Sequence, residues 1–329
     1  MNYSMLAKFG TAALLAAVLT ACGGDGAIHE NETAPSISLG GDLEHAASFT
    51  VDDLKTRTAV TQTVTYTSGN GSQTRTYTGA NLWSLLEDAG IKTDPAYKND
   101  VLRKYIVVGS SDGYRVVFSA GELKPDMGNR ASIVAYAETR DGKSGPLSDT
   151  DGPFRVTSPG DVKGGRYASM ATSVELKSPV SKQTGIGGGL SPTFTISGQV
   201  QQPLTLDLAA LQAEPAVTRT QGAGNEYKGV DLWYLLNDVA GLKTAPGAKN
   251  PTLGMYVLAT GSDGYQALIS MAEIDPAFGG GNSLVAYAVN DQLLDINGMA
   301  RLVVPGDGRA SRSVSNLVNL EVFALSDGK

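Results

Sequence analysis

Two arginines and an aspartate recur at one spacing. Arg155, Asp161 and Arg166 form the first set, and Arg301, Asp307 and Arg312 form the second. Arg155 and Arg301 sit in segments that otherwise suit a buried strand. An arginine there needs a carboxylate or an anion, because a desolvated guanidinium without a counter-charge is costly. The aspartates, each in a Pro-Gly-Asp turn, are candidate partners, and a bound anion is the alternative. Arg166 and Arg312 fit either an anion site or a solvated turn. A second set comes from the tetrapeptide Ser-Asp-Gly-Tyr, which occurs at Ser111–Tyr114 and again at Ser262–Tyr265. Asp112, Tyr114, Asp263 and Tyr265 could line a pocket at the mouth of a hairpin. Asp-Gly between two strands is itself a hairpin signal, so the turn alone accounts for the aspartates. It does not account for the tyrosines.

The residues that are missing narrow the chemistry. Cys22 is the single cysteine, and the two histidines, His29 and His45, lie near the start of the chain. Without either residue type from Ala46 onward, Cys/His and Ser/His/Asp catalysis and the usual zinc sites are excluded there. The formal net charge is -7 over 329 residues. That balance argues against nucleic acid and against electrostatic adhesion to anionic lipid.

The elements that must position these residues occur twice. Tyr77–Gly90 pairs with Tyr227–Gly241, Ser110–Pro125 with Gly261–Pro276, Ile133–Ala137 with Leu284–Ala288, and Arg155–Asp161 with Arg301–Asp307. Collinear matches with small length changes describe a duplicated domain rather than a solenoid. The first copy is placed at 36–178 and the second at 192–326. A Gly/Ser-rich linker at 179–191 joins them, so each copy is expected to fold as a separate unit. Leu82, Trp83, Leu85 and Leu86 make an apolar helical face, and Trp83 and Trp233 are expected in the core. Asn81 and Asp231 suit N-caps, and Gly90 and Gly241 suit the helix exits. Ser119 with Glu122, and Ser270 with Glu273, read as capping boxes of short helices stopped by Pro125 and Pro276. The rest is strand-like, which makes an α+β domain with more strand than helix.

Taken in order, these segments resemble a known family. An L-W-x-L-L helix, a V-A-Y strand, Asp141–Leu147, the run Gly152–Asp161 and Gly164–Arg166 look like the molybdopterin-binding domain of the sulfite oxidase group. The resemblance covers nearly all of each copy and is most specific over Asp141–Arg166. It implies an α+β fold of mixed sheets with short helices, two tandem copies of it, and ancestry from a molybdopterin-dependent oxidoreductase. It also implies a metal-ligating cysteine before the L-W-x-L-L helix and a phosphate-anchoring lysine after the final G-x-R. Neither Val60–Gly79 nor Val217–Gly229 holds a cysteine, and Ser169 and Ser315 stand at the lysine position. Hydroxyls do not replace a soft thiolate donor. No cofactor is therefore expected, and no protein metal ligand, although the resemblance keeps molybdopterin in view.

The chain starts with Lys8, an apolar run of signal-peptide length over residues 10–21, and Leu19–Cys22, which resembles a bacterial lipobox. Residues 1–21 read as a lipoprotein signal peptide, Cys22 as the lipidated residue, and 22–35 as a flexible tether. The protein is expected on a membrane outside the cytoplasm, in the periplasm or at the cell surface. Gly23 after the cysteine points to the outer membrane in a cell that has two. The expected function is binding of a small molecule, an anion or a partner by an enzyme fold that lacks its metal ligand. The alternatives are an oxidoreductase that holds molybdopterin in a non-standard way and a structural surface lipoprotein.

Overall fold

The computed structural model describes residues 34–325. Cys22, the signal peptide and all but the last two residues of the tether lie outside the described residues. The first repeat has ten strands: β1 (Ser36–Gly41), β2 (Ala47–Thr50), β3 (Ala59–Ser68), β4 (Gly71–Asn81), β5 (Tyr105–Ser110), β6 (Arg115–Ser119), β7 (Ile133–Arg140), β8 (Lys143–Pro146), β9 (Arg155–Val156) and β10 (Ala171–Lys177). They form two sheets. One runs β2-β1-β10-β5-β6; the other runs β3-β4-β7-β8, with β9 also paired to β7. The β1–β10 pair is parallel and the rest are antiparallel.

The second repeat copies this plan with β11 (Thr193–Gly198), β12 (Leu204–Asp207), β13 (Ala216–Gln221), β14 (Asn225–Asp231), β15 (Met255–Gly261), β16 (Gln266–Ser270), β17 (Leu284–Val289), β18 (Gln292–Leu293), β19 (Arg301–Val303) and β20 (Leu317–Ala324). Its sheets run β12-β11-β20-β15-β16 and β13-β14-β17-β18, with β19 on β17. Mixed sheets with a few short helices make each half α+β.

Helix α1 (Val51–Lys55) follows β2, and α2 (Leu82–Asp88) follows β4. Asn81 caps α2 by accepting from the Ser84 N–H at 2.9 Å, and the helix buries Leu82, Trp83, Leu85 and Leu86. Helix α3 (Ala120–Leu123) opens with the Ser119–Glu122 capping box. In the second repeat α4 is Leu208–Ala213, α5 is Leu232–Tyr234 and α6 is Met271–Ile274, opened by the Ser270–Glu273 box. One difference is informative. Tyr227–Gly241 has one residue more than Tyr77–Gly90. The second repeat absorbs it by continuing α5 as a π-turn over Leu235–Val239. An inserted residue in a packed helix commonly appears as such a bulge, which keeps both ends in register.

The expectation that the copies fold as separate units is corrected by the apolar strands. β5 and β15 are buried on both faces. Ile106, Val108, Val116 and Phe118 point into the first core; Val257, Ala259, Ala267 and Ile269 point into the second. The alternate residues Tyr105, Val107, Val117, Tyr256, Leu258 and Leu268 form a third cluster between the repeats. Tyr105 stacks on Tyr256 with centroids 4.4 Å apart. A strand apolar at every position must be covered twice. Here the second cover is the other repeat. The linker is also anchored, since the Ile186 and Gly188 N–H groups both donate to the Ser262 carbonyl at 2.8 Å.

Candidate functional site

The two Ser-Asp-Gly-Tyr hairpins behave alike. Asp112 accepts from the Tyr114 N–H at 2.9 Å and Asp263 from the Tyr265 N–H at 3.0 Å, across glycines with φ of +83° and +84°. The aspartates therefore close turns. The tyrosines reach further. The Tyr114 hydroxyl donates to the Gly165 carbonyl at 2.9 Å and accepts from the Asn250 amide at 3.3 Å. Tyr265 donates to the Ser311 carbonyl at 2.5 Å and accepts from Asn99 at 3.2 Å. Each tyrosine thus ties its hairpin to its own repeat and to the opposite one. Burial raises the pKa of both phenols, so they remain neutral donors.

The arginines separate into two classes. Arg166 is fully buried and grips Asp161 through two nitrogens at 2.8 and 2.7 Å. Its third nitrogen reaches Glu122 at 2.8 Å. Arg312 makes the same contacts to Asp307, at 2.8 and 2.6 Å, and to Glu273 at 2.5 Å. The glutamates exchange partners across the molecule. Ser119 donates to Glu273 at 2.7 Å and Ser270 donates to Glu122 at 3.0 Å. Asp161, Arg166, Asp307 and Arg312 thus form internal ion pairs, and neither arginine faces solvent. The capping glutamates have a second use that sequence spacing did not show. Burial pushes the Glu122 carboxyl up, against the pull of Arg166. Burial acts the same way on Glu273, but Arg312 and the Ser119 hydroxyl hold it below its ordinary value.

Arg155 and Arg301 are different. Asp161, the carboxylate offered beside an anion as a partner for Arg155, is not the one it meets: Arg155 pairs with Asp151 and donates to the Tyr66 hydroxyl at 3.1 Å. Asp161 is already held by Arg166 and by Arg130 at 2.9 Å. The loop before β9 brings Asp151 closer than the turn after it could bring Asp161. Arg301 makes a long contact, 3.5 Å, to the Asn297 side-chain oxygen and lies over the Tyr227 ring at 5.5 Å, with no carboxylate partner among the described residues.

Arg155, Asp112 and Tyr114 come together in one cleft of 590 Å³. Its floor and walls come from the β3–β4 hairpin (Tyr66, Gln73, Arg75), the loop around Asp151, the turn Lys163–Gly165, and Lys249, Asn250 and Phe278 of the second repeat. Tyr66 stacks on Tyr167 with centroids 4.1 Å apart. Asp151 accepts from the Ser169 hydroxyl at 3.1 Å and lies 3.6 Å from Arg75. Four cationic side chains (Arg75, Arg155, Lys163, Lys249) line the cleft against two carboxylates, Asp112 and Asp151. Three buried polar atoms of lining residues, Ser110 Oγ, Arg155 Nε and Tyr167 Oη, have no hydrogen-bond partner. Burial raises the Tyr167 phenol, which keeps its proton.

Sequence reasoning missed Tyr66, Tyr167, Asp151, Lys163, Lys249 and Asn250. Asp151 alone left a signal, since it lies in the loop that is longer in the first repeat. The cleft also includes Ser169, where the family resemblance places a lysine. The donor set does not fit a protein-ligated molybdenum: hydroxyls, amides and two ion-paired or turn-capping carboxylates are present, and no thiolate. Among the described residues no cluster of three His, Cys, Asp or Glu could hold a metal ion.

No protein-family model matches the chain, and no curated protein matches it. Among solved structures, the sulfane dehydrogenase SoxCD from Paracoccus pantotrophus is similar, with 12% identity and a TM-score of 0.36. The match covers 71% of this chain and 61% of that one. That is a distant resemblance in fold.

Proposed function

We propose that this chain is a binding protein and that the first repeat's cleft holds a small anionic solute carrying hydroxyl or carbonyl acceptors. The observation that carries this reading is one cleft lined by four cationic side chains against two carboxylates that are already engaged, Asp151 by Arg155 and Asp112 by the Tyr114 N–H. Lys163 and Lys249, both exposed at the rim, add the attraction for a negative charge. The lipobox-like start supports placing the protein on the outer face of a membrane through Cys22, with the cleft open to extracytoplasmic solutes. Cys22→Ser should then leave the membrane fraction, and its retention there would refute the anchor.

The binding claim is tested by thermal shift on the purified chain with sulfate, phosphate, acetate, lactate and glucuronate. At least one should raise the melting temperature, and the rise should vanish in the Lys163→Gln/Lys249→Gln double variant. No rise with any of them, or an equal rise in the variant, would overturn the reading. Near-stoichiometric molybdenum in protein from its native host would replace it with the oxidoreductase reading.

A further inference from the structure

The cleft does not end at Tyr114. A second hollow, 420 Å³, shares Tyr114, Lys249 and Asn250 with it and continues along the junction of the two repeats. Among the described residues its charged lining is Arg115, Lys243 and Lys249, without aspartate or glutamate. That is notable in a chain with 33 acidic and 26 basic residues. Tyr114 and Asn250, hydrogen-bonded to one another at 3.3 Å, stand where the two hollows meet. So a mixed polar cleft, with donors and two carboxylate acceptors, opens into a groove that presents Lys243 and Lys249.

We infer that the two hollows form one trough whose occupant is an extended acidic, hydroxyl-rich chain, of the class of a short uronic-acid oligosaccharide. This rests on the binding reading above and extends it to a second subsite. Each sugar unit brings a carboxylate for the lysines and hydroxyls that both donate and accept. Those hydroxyls match Asp112 and Asp151 as acceptors and Lys163, Lys249 and Asn250 as donors. An oligonucleotide's phosphates only accept, and its units bring few donors opposite those aspartates. An acidic peptide brings carboxylate side chains that only accept.

Titration calorimetry on the purified full chain separates these. The probes are galacturonic acid, its linear trimer, neutral maltotriose and triglutamate. The trimer should bind about tenfold or more tighter than the monomer, because the second contact becomes intramolecular. Lys243→Gln should weaken the trimer about fivefold and leave the monomer unchanged, as expected for one exposed charge. Lys163→Gln should weaken both. Monomer and trimer binding equally, or a trimer indifferent to Lys243→Gln, overturns the trough and leaves the cleft reading standing. Tighter binding of triglutamate or maltotriose than of the trimer overturns the acidic sugar. If neither uronate binds while sulfate still stabilises through Lys163, the inference falls and the cleft reading survives. If nothing stabilises, both fall. Lys243 is exposed, so an unchanged melting temperature of the free variant shows that its fold is intact.

Discussion

The second repeat has its own version of the cleft, and it is much reduced. It measures 280 Å³ and is lined by Lys98, Asn99, Asp263, Tyr265, Ser311, Ser313 and Ser315 among others. Lys98 and Asn99 come from the opposite, first repeat, as Lys249 and Asn250 of the second repeat do in the larger cleft. What differs is the wall. Strands β3 and β4 have 10 and 11 residues, whereas β13 and β14 have 6 and 7. Tyr167 is matched by Ser313 and Asp151 by Asn297, so the strong Arg155–Asp151 pair becomes a long Arg301–Asn297 contact. Arg301 does repeat one feature, an unpartnered buried Nε. By contrast the Arg166 and Arg312 networks share the same aspartate, glutamate and cross-repeat serine partners, with Arg130 adding a contact to Asp161 in the first. Where the repeats pack on each other the two copies stay alike, because a buried charge set tolerates no missing member. Around the clefts they part.

The comparison of interiors is broken or kept by the largest expected effect. Arg166→Met and Arg312→Met each strand two buried carboxylates, and each should lower stability by about 3–5 kcal/mol in urea unfolding. Because each network includes a serine of the opposite repeat, both variants should still unfold in one transition. A loss below about 1 kcal/mol in either would show that the networks are not equivalent.

The clefts should respond unequally. Arg155→Met, which breaks a buried pair, should cost about 3 kcal/mol, and Arg301→Met only about 1 kcal/mol. Asn297→Asp should give Arg301 the partner that Arg155 has and stabilise by about 1 kcal/mol. Equal losses for the two methionine variants would remove the distinction between the clefts.

Acid sharpens the comparison, because the paired glutamates are displaced in opposite directions. Glu273 is held below its ordinary 4.5, so its share of stability is present above that pH and is lost as pH falls through the folded value. Glu122 is raised above 4.5, so the folded state takes up its proton first and gains stability as pH falls toward 4.5. Glu273→Gln should therefore flatten the acid-side loss of stability, and Glu122→Gln should remove the gain at higher pH. Identical pH profiles for the two variants would contradict the asymmetry.

The smallest effect tests the hairpins. Tyr114→Phe and Tyr265→Phe each remove one hydroxyl that bridges the repeats, and each should cost about 1 kcal/mol. A larger loss of ligand-induced thermal shift in Tyr114→Phe than in Tyr265→Phe would tie the bridge to the larger cleft.

Much of the fold was legible. The Asp-Gly hairpins, the Ser119 and Ser270 capping boxes and the Asn81 cap depend on neighbours within a few residues, and local spacing displays them. The Asp161–Arg166 and Asp307–Arg312 pairs are local too, five residues apart, but the sequence offered the aspartates to Arg155 and Arg301 and left Arg166 and Arg312 to an anion or a solvated turn. The cleft was less legible. Asp112, Tyr114 and Arg155 were singled out separately, but Tyr66, Tyr167 and Lys249 carry no motif. They meet because the β3–β4 hairpin folds over one side and the second repeat closes the other.

The sequence by itself determined the duplication, the strand and turn order within each copy, and the absence of thiol and imidazole chemistry from residue 46 onward. These follow from periodicity, turn chemistry and composition, which act over short stretches of chain. Only the tertiary structure decided that the copies share an interior, that Glu122 and Glu273 complete each other's serine contacts, and that one cleft is larger than its twin. The physical reason is that burial and charge compensation depend on distance in space. Arg166 meets Ser270, and Tyr114 meets Asn250, only after the second apolar face of β5 has packed against that of β15.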